Sequence, residues 1–443
     1  MSARLATALD AVRGRALRLD GSPRDYDALL EMAQGRSFVL LGEATHGTHE
    51  FYAMRAEITR RLIEEQRFDA VAVEADWPDA YRLARYVRGR GDTTAAAAFG
   101  DFERFPTWMW RNRDVLAFIE WLRARNESQD ADATAGFYGL DMYSLYRSAD
   151  AVIAYLEAVD PDQAAVGREL YAALDHVRDP QRYGYEAAYG LRPQCRDGAV
   201  QMLLDLRRKS PDYLALDGRE AADAQFVAER NARIVLSGEV YYRAMFGSRL
   251  NTWNLRDTHM TETLFALQRH LREQGRDGRI VVWAHNSHLG DARATDMGEA
   301  GECNIGQLVR EQAGSDQALL VGFTTYTGHV TAAREWDAPA ERRWVRPAHK
   351  DSLEHLFYAS RLDRFFLPLQ EPRRSPLQEP LLERAIGVVY RPETELQSHY
   401  FSASVSTQFD AVFHLDETTA VEPFDISRQW QHREPADAHP LQA

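Results

Sequence analysis

The chain has 443 residues, with 53 Lys and Arg against 67 Asp and Glu, so its formal net charge is −14. A nucleic-acid groove or an anionic membrane surface is bound by a basic face, and this charge balance argues against both as main partners. Hydrophobic residues make up 45% of the chain and charged residues 27%, as in an ordinary globular protein.

Cysteine use and apolar runs bear on the compartment. Cys195 and Cys303 lie far apart, and neither shows the spacing of a disulfide scaffold or of a zinc site. No apolar run approaches the ~18 residues that cross a bilayer. Residues 1–20 contain four arginines and two aspartates but lack the apolar stretch of a signal peptide. We therefore predict a cytoplasmic protein that works in a reducing compartment.

Short apolar runs recur along the chain and predict strands. Segments with helical spacing of apolar residues lie between the early runs, as at 51–65 and 115–125. This alternation of strand and helix is typical of a parallel sheet. The predicted strands are, in chain order, 38–41, 70–73, 136–140, 280–284, 319–323, 386–390 and 410–415.

The middle of the chain contains no strand-like run and predicts a helical insertion at 145–274. We predict an α/β catalytic body formed by 1–144 and 275–425, and a polar tail at 426–443. The fold class is α/β, with a mostly parallel central sheet flanked by helices and a helical insertion subdomain. Helical spacing within the insertion occurs at 151–159, 164–177, 199–208, 221–236 and 253–272.

The first predicted strand is followed directly by a segment with two potentially catalytic side chains, a glutamate and a histidine. Its sequence is Gly42-Glu43-Ala44-Thr45-His46-Gly47. Ligands of a parallel sheet bind beyond the carboxyl ends of its strands, which is where Glu43 and His46 would lie. Gly42 and Gly47 allow the backbone to turn there.

Three further predicted strands also end in Glu, Asp or His. Glu74 follows the second strand, and Asp141 follows the third. The strand at 280–284 leads into His285-Asn286-Ser287-His288, whose two imidazoles could enter one pocket. Because the carboxyl ends of parallel strands share one edge of the sheet, we expect these side chains to form one site.

Other residues near these motifs could contribute to the same site. Glu50 and Arg55 belong to the helix that follows His46, where Glu50 could instead interact with the helix dipole. Trp77 follows Glu74, and Arg256 could be either a site residue or part of a local helix pair with Asp257. The segment 104–112 is rich in aromatic residues and includes Trp108 and Trp110. These side chains could belong to the packed core or form the wall of a pocket.

The motifs indicate a hydrolytic chemistry without a serine nucleophile. The chain contains no GxSxG, HExxH, Walker A or GxGxxG pattern. A neutral imidazole held by carboxylates can take a proton from water, and further histidines and arginines can stabilise developing negative charge. Two Glu and two His are also a ligand set for Zn²⁺ or Mn²⁺, so a metal-dependent hydrolase is the alternative.

The chain resembles the erythromycin esterase family over residues 35–415. The resemblance is carried by Gly42-Glu43-x-x-His46-x-x-x-Glu50-Phe51-x-x-x-Arg55, by Glu74, by Arg256-Asp257-x-x-Met260 and by Asn286-x-His288. It implies an α/β body with a helical insertion, and hydrolysis of a carboxylic ester by water. Segments 47–49, 75–78 and 105–112 differ from the macrolide-inactivating members, so the resemblance supports the reaction type more than it supports erythromycin as the substrate.

We predict that His46 is the general base and that Glu43 or Glu74 orients it. The substrate is a small-molecule ester or lactone, with a macrolide lactone as one candidate, and we predict no cofactor and no metal. A homologue that binds a small molecule without catalysis is the second alternative. The predicted catalytic residues are His46, Glu43, Glu74, His285, His288 and Arg55, and the predicted substrate contacts are Glu50, Trp77, Trp108, Trp110, Asp141 and Arg256.

Overall fold

Strands and helices alternate along the chain in the computed structural model, which describes residues 3–130, 133–175, 178–214, 218–247, 250–369 and 376–431. The strands are β1 (Leu17–Arg18), β2 (Phe38–Leu41), β3 (Ala70–Asp76), β4 (Gly136–Asp141), β5 (Ile280–Trp283), β6 (Ala318–Ala332), β7 (Glu341–Val345), β8 (Arg364–Pro368), β9 (Leu381–Arg384), β10 (Tyr400–Ala403) and β11 (Ala411–Thr418).

The longer helices belong mainly to the crossovers between strands and to the middle of the chain. The helices are α1 (Ala3–Arg15), α2 (Asp27–Met32), α3 (His49–Gln66), α4 (Trp77–Val87), α5 (Ala95–Ala98), α6 (Arg113–Glu127), α7 (Leu145–Val159), α8 (Pro161–Tyr171), α9 (Pro180–Ala188), α10 (Arg196–Leu214), α11 (Gly218–Gly247), α12 (Thr252–Glu273), α13 (Asn286–Leu289), α14 (Asp296–Glu299), α15 (Ile305–Ala313), α16 (Leu353–Ala359), α17 (Glu395–Ser398), α18 (Val405–Gln408) and α19 (Arg428–Gln431). Within the described ranges, no helix is long and apolar enough to span a membrane.

The strands of the central sheet lie in the order β1-β8-β11-β6-β2-β5-β3-β4. β7 pairs with the C-terminal end of β6. The neighbours β11, β6, β2, β5 and β3 run parallel, whereas β1, β8 and β7 pair antiparallel with their neighbours. β9 and β10 form a separate antiparallel pair. All residues of β2 and β5 are buried, which explains why these strands read as continuous apolar runs. The predicted α/β fold with a mostly parallel sheet is confirmed.

The chain divides into two compact units. The first comprises residues 1–73, 83–137 and 275–443, and the second comprises 74–82 and 138–274. β3 and β4 therefore begin in the first unit, and their last residues belong to the second.

The second unit has a helical core of its own. Leu145, Val152 and Leu156 are fully buried on α7 at helical spacing, so one face of the helix is apolar. Asp160 and Asp179 cap the N-termini of α8 and α9, and a proline follows each cap at the first helical position. The same cluster includes Ala164, Tyr183, Met202, Leu206, Val235 and Tyr242.

One predicted strand is wrong. Residues 386–390 make only isolated bridges, from Ile386 to Thr45 and from Val389 to Ala333. Ile386 and Tyr390 are nevertheless fully buried, in a cluster with part of β6 and β7. The apolar run therefore reflects burial of an irregular segment that bonds to two different neighbours, and the regular strand β9 lies just before it.

Other predicted boundaries also shift. β6 extends to Ala332, beyond the predicted end at 323, because its polar Thr324, Thr325 and Thr327 break the apolar run without ending the strand. In the predicted helix 164–177, α8 ends at Tyr171, and residues 176–177 lie outside the described residues. The short strands β1, β7, β8, β9 and β10 were not predicted.

Part of the predicted polar tail is packed. Residues 428–431 form α19, where the Trp430 indole is buried and donates to the Thr331 hydroxyl at 2.8 Å. A single large aromatic side chain thus fixes this segment although its neighbours are polar. Residues 432–443 lie outside the described residues.

Candidate active site

The carboxyl ends of β2 and β5 lie side by side, because these strands are parallel neighbours with Leu41 opposite Trp283. The chain leaves β2 through Glu43 and leaves β5 through His285, so two of the predicted motifs meet. A backbone hydrogen bond of 2.8 Å from Asn286 N to Glu43 O joins the two segments directly. The structure therefore brings together residues that are more than two hundred positions apart in the sequence.

Gly42 is required at this junction for steric reasons. A Cβ atom at residue 42 would lie 2.1 Å from the Asn286 side-chain oxygen, closer than any real contact. Asn286 in turn is held by the backbone of Phe323 on β6, to whose oxygen it donates at 2.8 Å and from whose N–H it accepts at 3.2 Å. The glycine of the first motif and the asparagine of the second thus depend on each other.

The loop between β2 and α3 is fixed on several sides. Its backbone pairs with residue 386, since His46 N donates to Ile386 O and Ile386 N donates to Ala44 O. The Tyr52 hydroxyl donates to His46 O at 2.9 Å. Gly47 lies so close to β6 that a Cβ there would meet Thr331 O at 1.9 Å. His46 is consequently presented by a rigid loop.

Glu43 orients the imidazole of His46. The Nδ1 atom of His46 lies 2.9 Å from Glu43 Oε1, and both side chains are buried. A carboxylate accepts hydrogen bonds, so this contact places a proton on Nδ1 and leaves the lone pair on Nε2. The pairing answers the question that the sequence left open, because Glu43 is the carboxylate in contact with His46.

Arg55 lies behind Glu43. Its guanidinium donates to Glu43 Oε2 at 2.6 Å and is fully buried. It also stacks against two aromatic rings, with 4.5 Å to the ring centre of Tyr52 and 5.3 Å to that of Trp283. Arg55 is one of the predicted catalytic residues, where an arginine could stabilise developing negative charge. In the structure its burial against Glu43 makes it the counter-ion of that carboxylate.

His285 has the opposite tautomer preference. Its Nδ1 accepts a hydrogen bond from Ser287 N at 3.2 Å, as the N-cap of α13, and lies 2.8 Å from the Ser287 hydroxyl. An accepting Nδ1 places the proton of the neutral ring on Nε2, which is then a donor. The ring centres of His285 and His46 are 4.9 Å apart. An acceptor and a donor imidazole thus stand next to each other.

His288 lies three residues further along, in α13, and is buried.

Glu74 and Asp141 form a cluster around Arg256 in the second unit. Arg256 holds Asp141 through two nitrogens, with Nη2 at 2.6 Å, and the same Nη2 lies 2.8 Å from Glu74. These carboxylates raise the pKa of Arg256 against the effect of its burial. Two strand-end carboxylates are thus partners of Arg256, as expected for a residue of the predicted site.

The aromatic residues predicted as substrate contacts lie in packed positions. Trp77 is 1% exposed in the second unit, where it stacks on Tyr138. Trp108 is buried in a small cluster with Trp430, and Trp110 packs edge-on against Tyr52. All three indoles are thus buried among other side chains. For Trp108 and Trp110 this fits core packing, one of the two alternatives for the segment 104–112.

Glu50 has a local structural partner. Its two carboxylate oxygens accept hydrogen bonds of 2.8 Å from the backbone N–H and the hydroxyl of Thr419. Both oxygens are thereby used to attach the start of α3 to the segment after β11. We therefore leave Glu50 out of the proposed substrate contacts.

The sequence did not reveal three residues that support the site, Tyr52, Ser287 and Glu383. Nothing in the local pattern distinguishes Tyr52 or Ser287 from ordinary neighbours of a motif. Glu383 follows only two leucines and precedes Arg384, so the local pattern does not distinguish it either. Within the described residues, no three His, Cys, Asp or Glu side chains are arranged to hold a metal ion.

Comparison with known proteins shows which family the chain resembles. The erythromycin esterase family profile matches residues 63–418. Erythromycin esterase type II of Escherichia coli is 21% identical over 91% of this chain and 94% of its own length. YbfO of Bacillus subtilis (strain 168), provisionally named a hydrolase, is 22% identical over 90% of this chain and 88% of its own length.

Solved structures share the fold. A Bacillus cereus protein aligns with a TM-score of 0.75 at 19% identity, covering 95% of this chain and 99% of that protein. A histidine-to-asparagine mutant of the erythromycin esterase EreC in its open conformation aligns with a TM-score of 0.65 at 19% identity, covering 93% and 99%. The family profile and the names of the relatives indicate a hydrolase, and the chain belongs to the erythromycin esterase family.

Proposed function

We propose that the protein hydrolyses a carboxylic ester or lactone with a water molecule that His46 activates. The observation that carries the proposal is the Glu43–His46–His285 arrangement, in which one imidazole offers an acceptor nitrogen and the next offers a donor. A general base and an oxyanion donor are the two groups that water-based ester hydrolysis requires.

The first step is attack of water on the carbonyl carbon. His46 Nε2 accepts one proton from the water as the new C–O bond forms, and Glu43 stabilises the imidazolium. The carbonyl oxygen becomes an oxyanion, which accepts a hydrogen bond from His285 Nε2.

The second step is collapse of the tetrahedral intermediate. The bond to the alcohol oxygen breaks, and the proton held on His46 passes to that oxygen. An ester then yields an acid and an alcohol, whereas a lactone yields one ring-opened hydroxy acid. Arg55 holds Glu43 in place throughout.

A macrolide lactone is one substrate to test, because the family profile and the type II relative carry the name of erythromycin esterase. The direct experiment incubates the purified protein with a panel of esters and lactones that includes erythromycin. Mass spectrometry then detects the acid and the alcohol from an ester, or the ring-opened product that is heavier by one water from a lactone.

The matched variants are His46→Ala and His49→Ala. His49 is a neighbouring exposed histidine paired with Asp114, outside the proposed chemistry. Loss of a general base typically lowers the rate ~10²- to 10⁴-fold. We expect that loss for His46→Ala and near-normal turnover for His49→Ala. A folded His46→Ala protein with normal turnover would remove His46 from the mechanism.

A further inference from the structure

The two neighbouring histidines of the site have partners of different chemistry on their Nδ1 atoms. Glu43 can only accept a hydrogen bond, so it places a proton on Nδ1 of His46. The Nδ1 atom of His285 instead lies 2.8 Å from the Ser287 hydroxyl, which can donate or accept. A further contact is needed to decide the direction of this second hydrogen bond.

A backbone group decides the direction. The N–H of Ser287 also points at His285 Nδ1, at 3.2 Å, and a backbone N–H can only donate. The Nδ1 atom therefore presents its lone pair, and a hydroxyl that approaches a lone pair donates to it. A proton on Nδ1 would face the backbone N–H across the same contact. Ser287 thus directs two donors at one ring nitrogen, and the proton of the neutral ring lies on Nε2.

Ser287 is itself held in place by a buried asparagine. Asn304 is 3% exposed, and its Nδ2 donates to Ser287 O at 2.8 Å and also to Gly290 O. Its Oδ1 accepts from the N–H groups of Ala292, at 3.2 Å, and of Gln307, at 3.0 Å. Four hydrogen bonds use the full capacity of an asparagine amide. The turn that carries Ser287 is therefore tied to the start of α15, which Asn304 caps.

The residue between His285 and Ser287 is fixed as well. Asn286 N donates to Glu43 O at 2.8 Å, and its Nδ2 lies 3.4 Å from Glu383 Oε1. His285 and Ser287 flank this residue, so neither can shift far without breaking these contacts. The two donors of Ser287 consequently keep a constant direction toward the ring.

We propose that Ser287 is a positioning residue that holds His285 in the tautomer with its proton on Nε2, and so makes this ring the donor beside the acceptor His46. The two ring centres are 4.9 Å apart. A carboxylate on one Nδ1 and a hydroxyl on the other give two identical side chains opposite roles. The tautomer follows from the contacts alone, whereas its effect on catalysis rests on the proposed function.

The test exchanges the chemistry of the partner on Nδ1. Ser287→Asp gives His285 a carboxylate partner of the kind that His46 has. Ser287→Asn has nearly the same shape as that variant but keeps an N–H that can donate. Ser287 is partly exposed, which leaves room for both side chains.

The direct readout is NMR of protein labelled with ¹⁵N in its histidine rings, which reports the ring nitrogen that carries a proton. His285→Gln identifies the signals of His285 among those of 14 histidines. At pH 8 we expect Nδ1 of His285 to carry no proton in wild type and in Ser287→Asn, and to gain one in Ser287→Asp. A proton on Nδ1 in wild type, or an Nδ1 that stays unprotonated in Ser287→Asp, would overturn the proposal.

The second readout is the pH profile of kcat on any ester that the protein hydrolyses. A doubly protonated His285 still donates from Nε2, but in Ser287→Asp the neutral ring keeps its remaining proton on Nδ1, next to the carboxylate. We therefore expect kcat of Ser287→Asp to fall at alkaline pH by about 10²-fold, as for the loss of one oxyanion donor, with little change in KM. Wild type and Ser287→Asn should show no such fall.

The shape of this profile separates the proposal from a merely structural effect, which would lower kcat equally at every pH. The expected tautomers with an unchanged alkaline kcat in Ser287→Asp would overturn the catalytic part of the proposal. The expected tautomers without any hydrolysis would refute the proposed function and leave the role of Ser287 in setting the tautomer standing.

Discussion

Removing the guanidinium of Arg55 leaves Glu43 as a buried charge without a counter-ion. The two groups are 2.6 Å apart and at most 1% exposed, so water cannot replace the lost partner. At an effective dielectric constant of about 20, unit charges about 4 Å apart attract by about 4 kcal/mol. Breaking buried ion pairs by removing one partner costs about 3–5 kcal/mol. We therefore expect Arg55→Met to lower the free energy of unfolding by about 3–5 kcal/mol.

A double-mutant cycle separates the ion pair from the general cost of changing a buried residue. In Arg55→Met/Glu43→Gln no charge is left unpaired, so the double variant should lose less stability than the sum of the single variants, with a coupling energy of about 2 kcal/mol or more. The same substitutions at Arg182 and Glu186, a surface pair one helical turn apart on α9, provide the control. We expect a coupling there of about 0.5 kcal/mol.

The assay is urea unfolding followed by far-UV circular dichroism and by tryptophan fluorescence, whose coincidence supports a two-state treatment. A coupling energy for Arg55 and Glu43 no larger than that of the surface pair would refute the account of Arg55 as a counter-ion. The same variants also separate the two possible roles of Arg55. A counter-ion should affect stability as well as rate, whereas an oxyanion ligand should affect the rate alone.

Three further predictions concern packing, pH and metal. Gly42→Ala should lower the free energy of unfolding by about 1–3 kcal/mol, because its methyl group overlaps Asn286, whereas Gly14→Ala in the open part of α1 should not destabilise. Urea midpoints of both variants decide this. Burial lowers the pKa of His259 to about 3, so the unfolded state binds a proton from about pH 6.5 downward while the folded state does not. Stability should thus fall on acidification by up to about 1.4 kcal/mol per pH unit, and His259→Gln should reduce that slope. Exhaustive chelation should leave the hydrolytic rate unchanged; inactivation that Zn²⁺ or Mn²⁺ reverses would assign His46 to a metal instead.

The local pattern was sufficient to find the strands that carry the site. β2 and β5 are buried on both faces, so their apolar runs are continuous and end sharply at Glu43 and at His285. A parallel sheet collects such ends at one edge, which made the encounter of the two motifs predictable. The irregular segment 386–390 has a similar short apolar run although it is not a strand. Its apolar residues are buried without regular pairing to a neighbouring strand.

The pairing of side chains could not be read from the chain. Both Glu43 and Glu74 follow predicted strands, and only the turn of the loop decides which carboxylate contacts His46. Arg55 has the spacing of an ordinary helical residue, and its burial depends on Trp283 from a distant strand. Such contacts are set by tertiary structure, for which the local sequence carries no signal.

The order of strands also has a consequence for synthesis of the chain on the ribosome. β2 is among the earliest strands to be made, yet both of its edges are covered by strands made much later, β5 and β6. At about 5–20 residues per second, roughly 12–50 seconds separate the synthesis of β2 from that of β5. For that time an entirely apolar strand has neither of its native partners, and unpaired strand edges of this kind attract other chains. A nascent chain that stops before Ile280 thus carries β2 with both edges uncovered, and it would depend on chaperones to stay unaggregated.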